Sequence, residues 1–397
     1  MNGSRGVALL LCLMLLSGCW NRREVNEVAI VSALAIDRDA DSRLRVTLQV
    51  ANPLPASGER GDTGSREGVF TISATGRTLF EAIRNLNQMV SRKPEWTHNN
   101  AIIIGEQVAR DGVGHVLDFF LRDHESRLDQ WILVARGKAA DVLVPSFRLE
   151  MNQGVGIRRL NRNAFLETAK TTQVRLYEFL LRLSSPPTAP MAAAVEPLSE
   201  SAGQLTAPEP ESRLRIGGAA VFRGAKMVGW LDEHQTRGVA WLHEKLSSTI
   251  VVVPCKKPPG EGISVEVMGA RSTLRPVWQG GRLPVVHAPV TVSAKIGDVM
   301  CPDDFTKPAA IHELENRAAG VIRQEIAQTL RHLQQDLGVD PAGIGASLQR
   351  AFPEAWRAWK GRWDEIYPLV PVVPEVTVRL DQTGTAIGKP FRSGRDQ

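Results

Sequence analysis

The chain has 397 residues, of which 43% are hydrophobic, 23% charged and 6% aromatic, enough for roughly two or three domains with cores of their own. Those proportions exclude a disulfide-stapled mini-protein, a collagen-like or wholly disordered chain, and a polytopic membrane protein, since one segment alone is apolar without interruption. The 48 basic and 43 acidic residues leave a net charge of +5, but the basic residues are scattered along the chain and do not form the stripe expected of a nucleic-acid binder.

Residues 7–16 form an apolar run behind Arg5, too short to cross a bilayer of ~30 Å and suited to the core of a secretory leader. Leu16-Ser17-Gly18-Cys19 follows and resembles a bacterial lipobox. Small side chains before the cysteine let a peptidase grip the backbone, and only a thiol can carry a thioether-linked diacylglyceryl group. Cys12 lies inside the apolar run with no Gly or Ala before it, so it belongs to the discarded peptide. Cleavage before Cys19 makes 1–18 a lipoprotein signal peptide and 19–24 a lipidated tether. Two acyl chains, with palmitate as the typical addition, give a stable anchor where one gives a marginal one. Export also sets an oxidising environment, in which Cys255 and Cys301 are compatible either with a bridge or with two free thiols.

Residues 25–37 are apolar on both parities and predict a buried central strand. Leu44, Val46, Leu48 and Val50 alternate with Arg45, Thr47 and Gln49, the pattern of a strand with one wet face. Residues 53–68 read as a loop. From Val69 the pattern runs strand (69–74), helix (79–90), strand (96–104), helix (108–121), strand (131–135), one mixed α/β unit. Residues 147–183 are less regular until an amphipathic helix through Val174, Leu176, Phe179, Leu180 and Leu183, and 184–212 is a Pro/Ala/Ser-rich stretch expected to be a flexible excursion. A hairpin around Arg223-Gly224 and a helix over 234–246 follow. The last third predicts strands at 249–253, 263–274 and 285–296, then a long helix over 311–337 on the stripe Ile311, Leu314, Ala318, Ile322, Ile326, Leu330, Leu333 and Leu337. Gly338 ends it, Asp340-Pro341 is expected to supply an N-cap and a first-position proline for the next helix, and Pro353 starts another. Val376, Val378 and Leu380 form a closing strand. The fold class is therefore α+β, with three mixed α/β domains built on small sheets flanked by helices: an N-terminal one at 25–146, a middle one at 147–249 carrying the 184–212 excursion, and a C-terminal one at 250–391.

Catalytic constellations are missing at the level of spacing. His312-Glu313 has Asn316 where a zinc helix needs its second His, and His243-Glu244 has Ser247. There is no GxSxG and no GxxxxGK[ST]. Gly112-Gly114 and Gly154-Gly156 lack the third glycine of a dinucleotide loop. Trp356, Trp359 and Trp363 could stack a ligand, but their spacing is also that of one buried helix face, which is the favoured reading. Asp37, Asp39 and Asp41 alternate in a turn without the glycine and glutamate of an EF-hand. No catalytic residue, metal site or cofactor is expected.

Cys19-Trp20-Asn21-Arg22-Arg23-Glu24-Val25, then Val28-Ala29-Ile30-Val31 and Ala35-Ile36-Asp37, resemble the start of the Ger(x)C spore germination proteins, the C subunits of nutrient germinant receptors. The likeness continues through Val46-Thr47-Leu48-Gln49-Val50, Asn52-Pro53, Gly76-Arg77-Thr78-Leu79-Phe80-Glu81-Ala82, Ala219-Ala220-Val221-Phe222 and Gly229-Trp230-Leu231. It resumes at Asp340 with Gly343 and Gly345, then Pro353, Trp356, Trp363, Tyr367-Pro368 and Thr383-Gly384. Asn21 stands where an acidic residue is usual, and 184–212 is longer and richer in proline than is typical. The resemblance implies a non-enzymatic, lipid-anchored protein on the outer face of the spore inner membrane. Its partners would be the bilayer and the two integral-membrane subunits of the receptor, with no nucleic acid. A lipid-anchored solute-binding protein of a transporter is the alternative, although such proteins usually present two similar lobes, and a lipid-anchored hydrolase would need the motifs that are missing.

Overall fold

A computed structural model describes residues 27–51 and 69–382, apart from 124–125, 145–146, 148, 151, 185–186, 199–212, 244, 257–259, 302–304 and 306. The expected leader 1–18, the tether with Cys19, the loop 53–68 and the turn after Gln382 lie outside the described residues.

Strands β1 (Val28–Arg38), β2 (Leu44–Ala51) and β3 (Val69–Gly76) form an antiparallel meander. Helix α1 (Leu79–Leu86) starts on Thr78, whose hydroxyl accepts the Glu81 N–H. Strand β4 (Lys93–Glu95) and strand β5 (Ala101–Gly105) then return parallel to β1. Helices α2 (Glu106–Asp111) and α3 (Gly114–Arg122) lead to β6 (Trp131–Ala135), and helices α4 (Gln153–Thr168) and α5 (Leu176–Ser184) lead to β7 (Met191–Pro197), β8 (Leu214–Arg223) and β9 (Lys226–Leu231). The result is a nine-stranded sheet in the order β3-β2-β1-β5-β6-β7-β8-β9, with β4 beside β1.

Helix α6 (Glu233–Leu242) opens on a capping box between Asp232 and Gln235. Strands β10 (Lys245–Leu246), β11 (Thr249–Pro254), β12 (Gly262–Ser272), β13 (Arg275–Val277) and β14 (Val285–Val299) build most of a six-stranded sheet. Helix α7 (Pro308–Arg331) crosses it and winds on as a π-turn segment, His332–Leu337, until Gly338 takes the left-handed conformation at φ 60°. Helices α8 (Ile344–Ala351), α9 (Pro353–Trp359) and α10 (Trp363–Ile366) precede β15 (Val372–Gln382), which lies parallel to β14. The protein is mixed α/β, its sheets flanked by helices.

Three apolar clusters hold it. The aromatic and branched side chains of β1, β2, α1, α3 and α5 fill one face of the first sheet, and small residues such as Ala33, Ala35, Ala101 and Ala193 admit α4 closely on the other. The third lies between the second sheet and α6 to α9, and it takes in Met191, Val221 and Leu231 from the first sheet. The halves thus share a core. Cys255 and Cys301 are bridged, Cα atoms 5.7 Å apart and 46 residues apart in sequence, tying the end of β11 to the chain beyond β14. Closing a loop of that length is worth about 4 kcal/mol in the chain-entropy account.

Several expectations are corrected. Residues 191–197, expected within a flexible excursion, are β7, a strand buried along Met191–Val195 between β6 and β8; its alanines carry no strand signal because its neighbours supply the bulk. This strand also carries the first sheet across the expected boundary at 146/147. The face of β2 expected to be wet is exposed at Arg45 but dry beyond it: Thr47 and Gln49 are buried, Thr47 hydrogen-bonded to Ser73 and Gln49 to Ser32 and the Gln153 N–H. The single helix expected over 108–121 is two, broken at Gly112 with φ 126°. The strand expected over 96–104 begins only at Ala101, after a turn at 97–98. Pro341 does not open α8; Asp340 caps that helix from four residues ahead of Ile344.

Candidate functional site

In open α/β sheets ligands ordinarily lie beyond the carboxyl ends of the parallel strands. Here that end is filled. Asp37, the last acidic residue of β1, accepts the N–H groups of Ala139 (2.7 Å) and Ala140 (2.9 Å), and a Cβ on Gly105 would stand 2.1 Å from its Oδ1. Burial holds the Asp37 carboxyl above the usual carboxylate range although both backbone donors favour its charged form.

The opposite, amino end of β1, β5 and β6 is open. A polar cleft of about 860 Å³ lies there, between the segments 97–100 and 127–131, the first turns of α4 and the segment before α5. Five guanidinium groups line it, on Arg127, Arg158, Arg159, Arg162 and Arg175, against one lining carboxylate, Asp129. Arg175 lies 5.0 Å from the centre of the Trp131 ring, a cation–π contact that fixes its plane. Arg159 pairs with Glu150 at 2.6 Å. Arg127, Arg158 and Arg162 are exposed and have no ion-pair partner among the described residues. Beneath them Asn99 donates to Gln130 at 2.9 Å, while its buried Oδ1 has no partner among the described residues.

Two further clefts exist. One of about 420 Å³ lies between the halves, where Arg182, Arg223, Asp340 and Trp363 meet. Asp340 is buried and accepts the N–H groups of Gly343 (2.9 Å), Ile344 (3.1 Å) and Gly345 (2.6 Å). Burial nevertheless pushes its carboxyl up to about 7. Tyr367, wholly buried, has no partner for its hydroxyl among the described residues, and burial together with the Asp340 charge raises its pKa. Another, of about 840 Å³, runs between α1 and α3, with the half-exposed Phe80 tilted against Phe119 at 5.9 Å and beneath the Arg84 guanidinium at 4.9 Å.

Leu16, Ser17, Gly18 and Cys19 lie outside the described residues. Trp356 and Trp363 are buried 5.1 Å apart edge to face, and Trp359 stacks on the half-exposed Trp278, so the tryptophans are packing residues, although the helix breaks between Trp359 and Trp363. Asp39 spends its carboxylate on Asp41 N, Arg43 N and the Arg43 side chain. Among the described residues His312 pairs with Glu315 alone, and Glu313 pairs with Lys256. Among the described residues no three His, Cys, Asp or Glu side chains gather as metal ligands would. Sequence reading missed the arginine cleft, whose residues come from separate segments, and the only early signal was the Arg158-Arg159 pair with Arg162 one turn on.

Residues 21–197 match the family described as "Spore germination protein N-terminal domain", and residues 217–384 match "Spore germination B3/ GerAC like, C-terminal". Among whole-chain relatives, "Spore germination protein KC" of Bacillus subtilis (strain 168) is 27% identical over 392 residues, 95% of each chain. "Spore germination protein B3" of the same strain is 24% identical over 393 residues, 97% of this chain and 99% of the other. The crystal structure of the GerBC protein superposes with a TM-score of 0.54 at 21% identity, covering 88% of this chain and 97% of that one, and so shares the fold. Two family matches in tandem, over a chain that aligns with its relatives end to end, place this protein in the Ger(x)C family of spore germination proteins.

Proposed function

We propose that this chain is the lipid-anchored C subunit of a nutrient germinant receptor, held on the outer face of the spore inner membrane by acylated Cys19. It acts as a non-enzymatic scaffold that couples the receptor's two integral-membrane subunits. The observation that carries this reading is the tandem match over residues 21–197 and 217–384, which begins two residues after Cys19. Among the described residues no helix is long and apolar enough to cross a membrane, so attachment in this reading rests on the acyl chains. Confinement to a surface raises the effective concentration of the domains near membrane partners, and weak interfaces then suffice.

Spores lacking the gene, complemented with the parent or with Cys19→Ala, test the reading. The parent restores the response to one class of nutrient; Cys19→Ala does not, and less receptor is found in the inner membrane. Normal germination with normal receptor abundance in Cys19→Ala spores would remove the anchor from the account.

A further inference from the structure

We infer that the arginine cleft at the amino end of β1, β5 and β6 is a binding site for a phosphate-type oxyanion carried on a larger molecule. Five guanidinium groups converge there on one lining carboxylate, and three of them have no ion-pair partner among the described residues. Like charges gathered without partners repel one another, and a bound anion is the means of offsetting that repulsion. Guanidinium forks match the oxygens of phosphate in bidentate fashion. The cleft also holds amide and hydroxyl groups, Thr97, Asn99, Asn100 and Gln130 among them, that suit the polar body of a phosphate ester better than an apolar ligand. Its size, about 860 Å³, exceeds what a bare inorganic ion needs.

Part of the site is preformed. Arg175 is held on Trp131 and Arg159 on Glu150, while Arg158 and Arg162 project from successive turns of α4. That helix is pinned to the sheet at Gly154, where a Cβ would stand 1.7 Å from the Ser32 carbonyl oxygen. Position supplies a source for the ligand. Ile30 and Ala51, at the start of β1 and the end of β2, line the cleft, so it opens at the end of the sheet where the chain enters from the tether. Cys19 precedes Glu27 by eight residues, an extended reach of at most about 30 Å. With Cys19 acylated, the cleft is within reach of phospholipid headgroups; that part of the inference rests on the anchoring reading, whereas the oxyanion chemistry does not. A soluble phosphate ester is the other source of the same group.

The test uses the chain from Cys19 onward with Cys19→Ser, so that no acyl chain contributes. Its binding is measured to phosphatidylcholine vesicles with and without phosphatidylglycerol, and to glycerol phosphate in solution. Each arginine near an anionic surface contributes about fivefold in affinity, so Arg158→Gln with Arg162→Gln lowers binding on the order of 25-fold. A paired Arg323→Gln and Arg331→Gln variant on the exposed side of α7 changes it less than about twofold. Arg158→Lys with Arg162→Lys keeps the charge but loses the fork and falls between. Binding to phosphatidylglycerol vesicles that the cleft variant loses identifies the headgroup. Binding to glycerol phosphate alone, lost in the same variant, identifies a soluble ester. No binding to either probe, or equal binding by the cleft and control variants, overturns the inference and leaves the Cys19 germination test untouched.

Discussion

The His243 imidazole is hydrogen-bonded to the carbonyl of Pro341, the residue after Asp340, and burial shifts the two side chains in opposite directions. Burial pushes the Asp340 carboxyl from 3.8 up to about 7. Burial first, and then the Arg182 charge, pushes the His243 imidazole from 6.5 down to about 4. An aspartate whose pKa is raised on folding binds its proton more tightly in the folded state, so its contribution to stability declines as pH rises between those two values. A histidine whose pKa is depressed does the reverse, and its contribution is full above 6.5 and lost as pH falls toward 4. Over the shared window the two slopes, each at most about 1.4 kcal/mol per pH unit, oppose one another. Asp340→Asn should therefore make stability rise from pH 4 to 6.5, and His243→Gln should make it fall from pH 4 to 7, with the parent flatter than either. Urea midpoints measured at half-unit steps decide it, and parallel profiles for all three proteins would refute the assignment.

At the scale of elements, what the sequence showed was decided by whether burial is carried by large apolar side chains. Strands β1 and β6 and helix α7 bury branched residues in regular patterns, and their existence and approximate bounds were legible. Helix α4 was not, because the residues it buries are Gln153, Gly154, Gly156, Ile157 and Asn161. Such a face has no hydrophobic period, since the helix approaches too closely for larger side chains. The same glycines lack the third glycine of a dinucleotide loop, and their use is this contact, with Gly156 closed off by Phe147 and Gly154 by Ser32. Strand β7 escaped for a related reason, its alanines reading as low complexity. Gly154→Ala tests the point. Helix propensity alone favours alanine by about 1 kcal/mol, yet a Cβ 1.7 Å from a backbone oxygen must push α4 off the sheet at a typical overpacking cost of ~1–3 kcal/mol. The expected outcome is a lower unfolding midpoint and weaker oxyanion binding together, because Arg158 and Arg162 move with the helix. A stabilised variant would contradict the packing.

For the whole molecule the question is what makes two sheets one body. Arg223 reaches from β8 to the Leu337 carbonyl at 2.7 Å, and the Ala189 N–H donates to the Asp340 carbonyl at 2.8 Å. Deeper in, a polar chain crosses the junction. Glu325 on α7 takes a two-pronged contact from Arg237 on α6, at 2.8 and 2.9 Å. Arg237 also donates to the Ile250 carbonyl and to the Thr249 hydroxyl of β11, and that hydroxyl donates in turn to the Thr168 carbonyl at the end of α4. Arg237, Glu325 and Thr249 are all buried, and the residues come from four separate elements, so no local pattern announced the junction, whereas the arginine cleft left at least the Arg158-Arg159 pair. A buried ion pair contributes little relative to apolar residues of the same shape, but removing one partner strands the other charge. Glu325→Leu alone should therefore destabilise the chain by ~3–5 kcal/mol and lower the midpoints of both halves at once, since the network joins them. Arg237→Met added to Glu325→Leu should recover a large part of that loss. Chemical unfolding followed at probes in each sheet measures both. If the single variant unfolds only the C-terminal half early, or the double variant is the weaker of the two, the halves are held by their shared apolar cluster and this network is incidental to it.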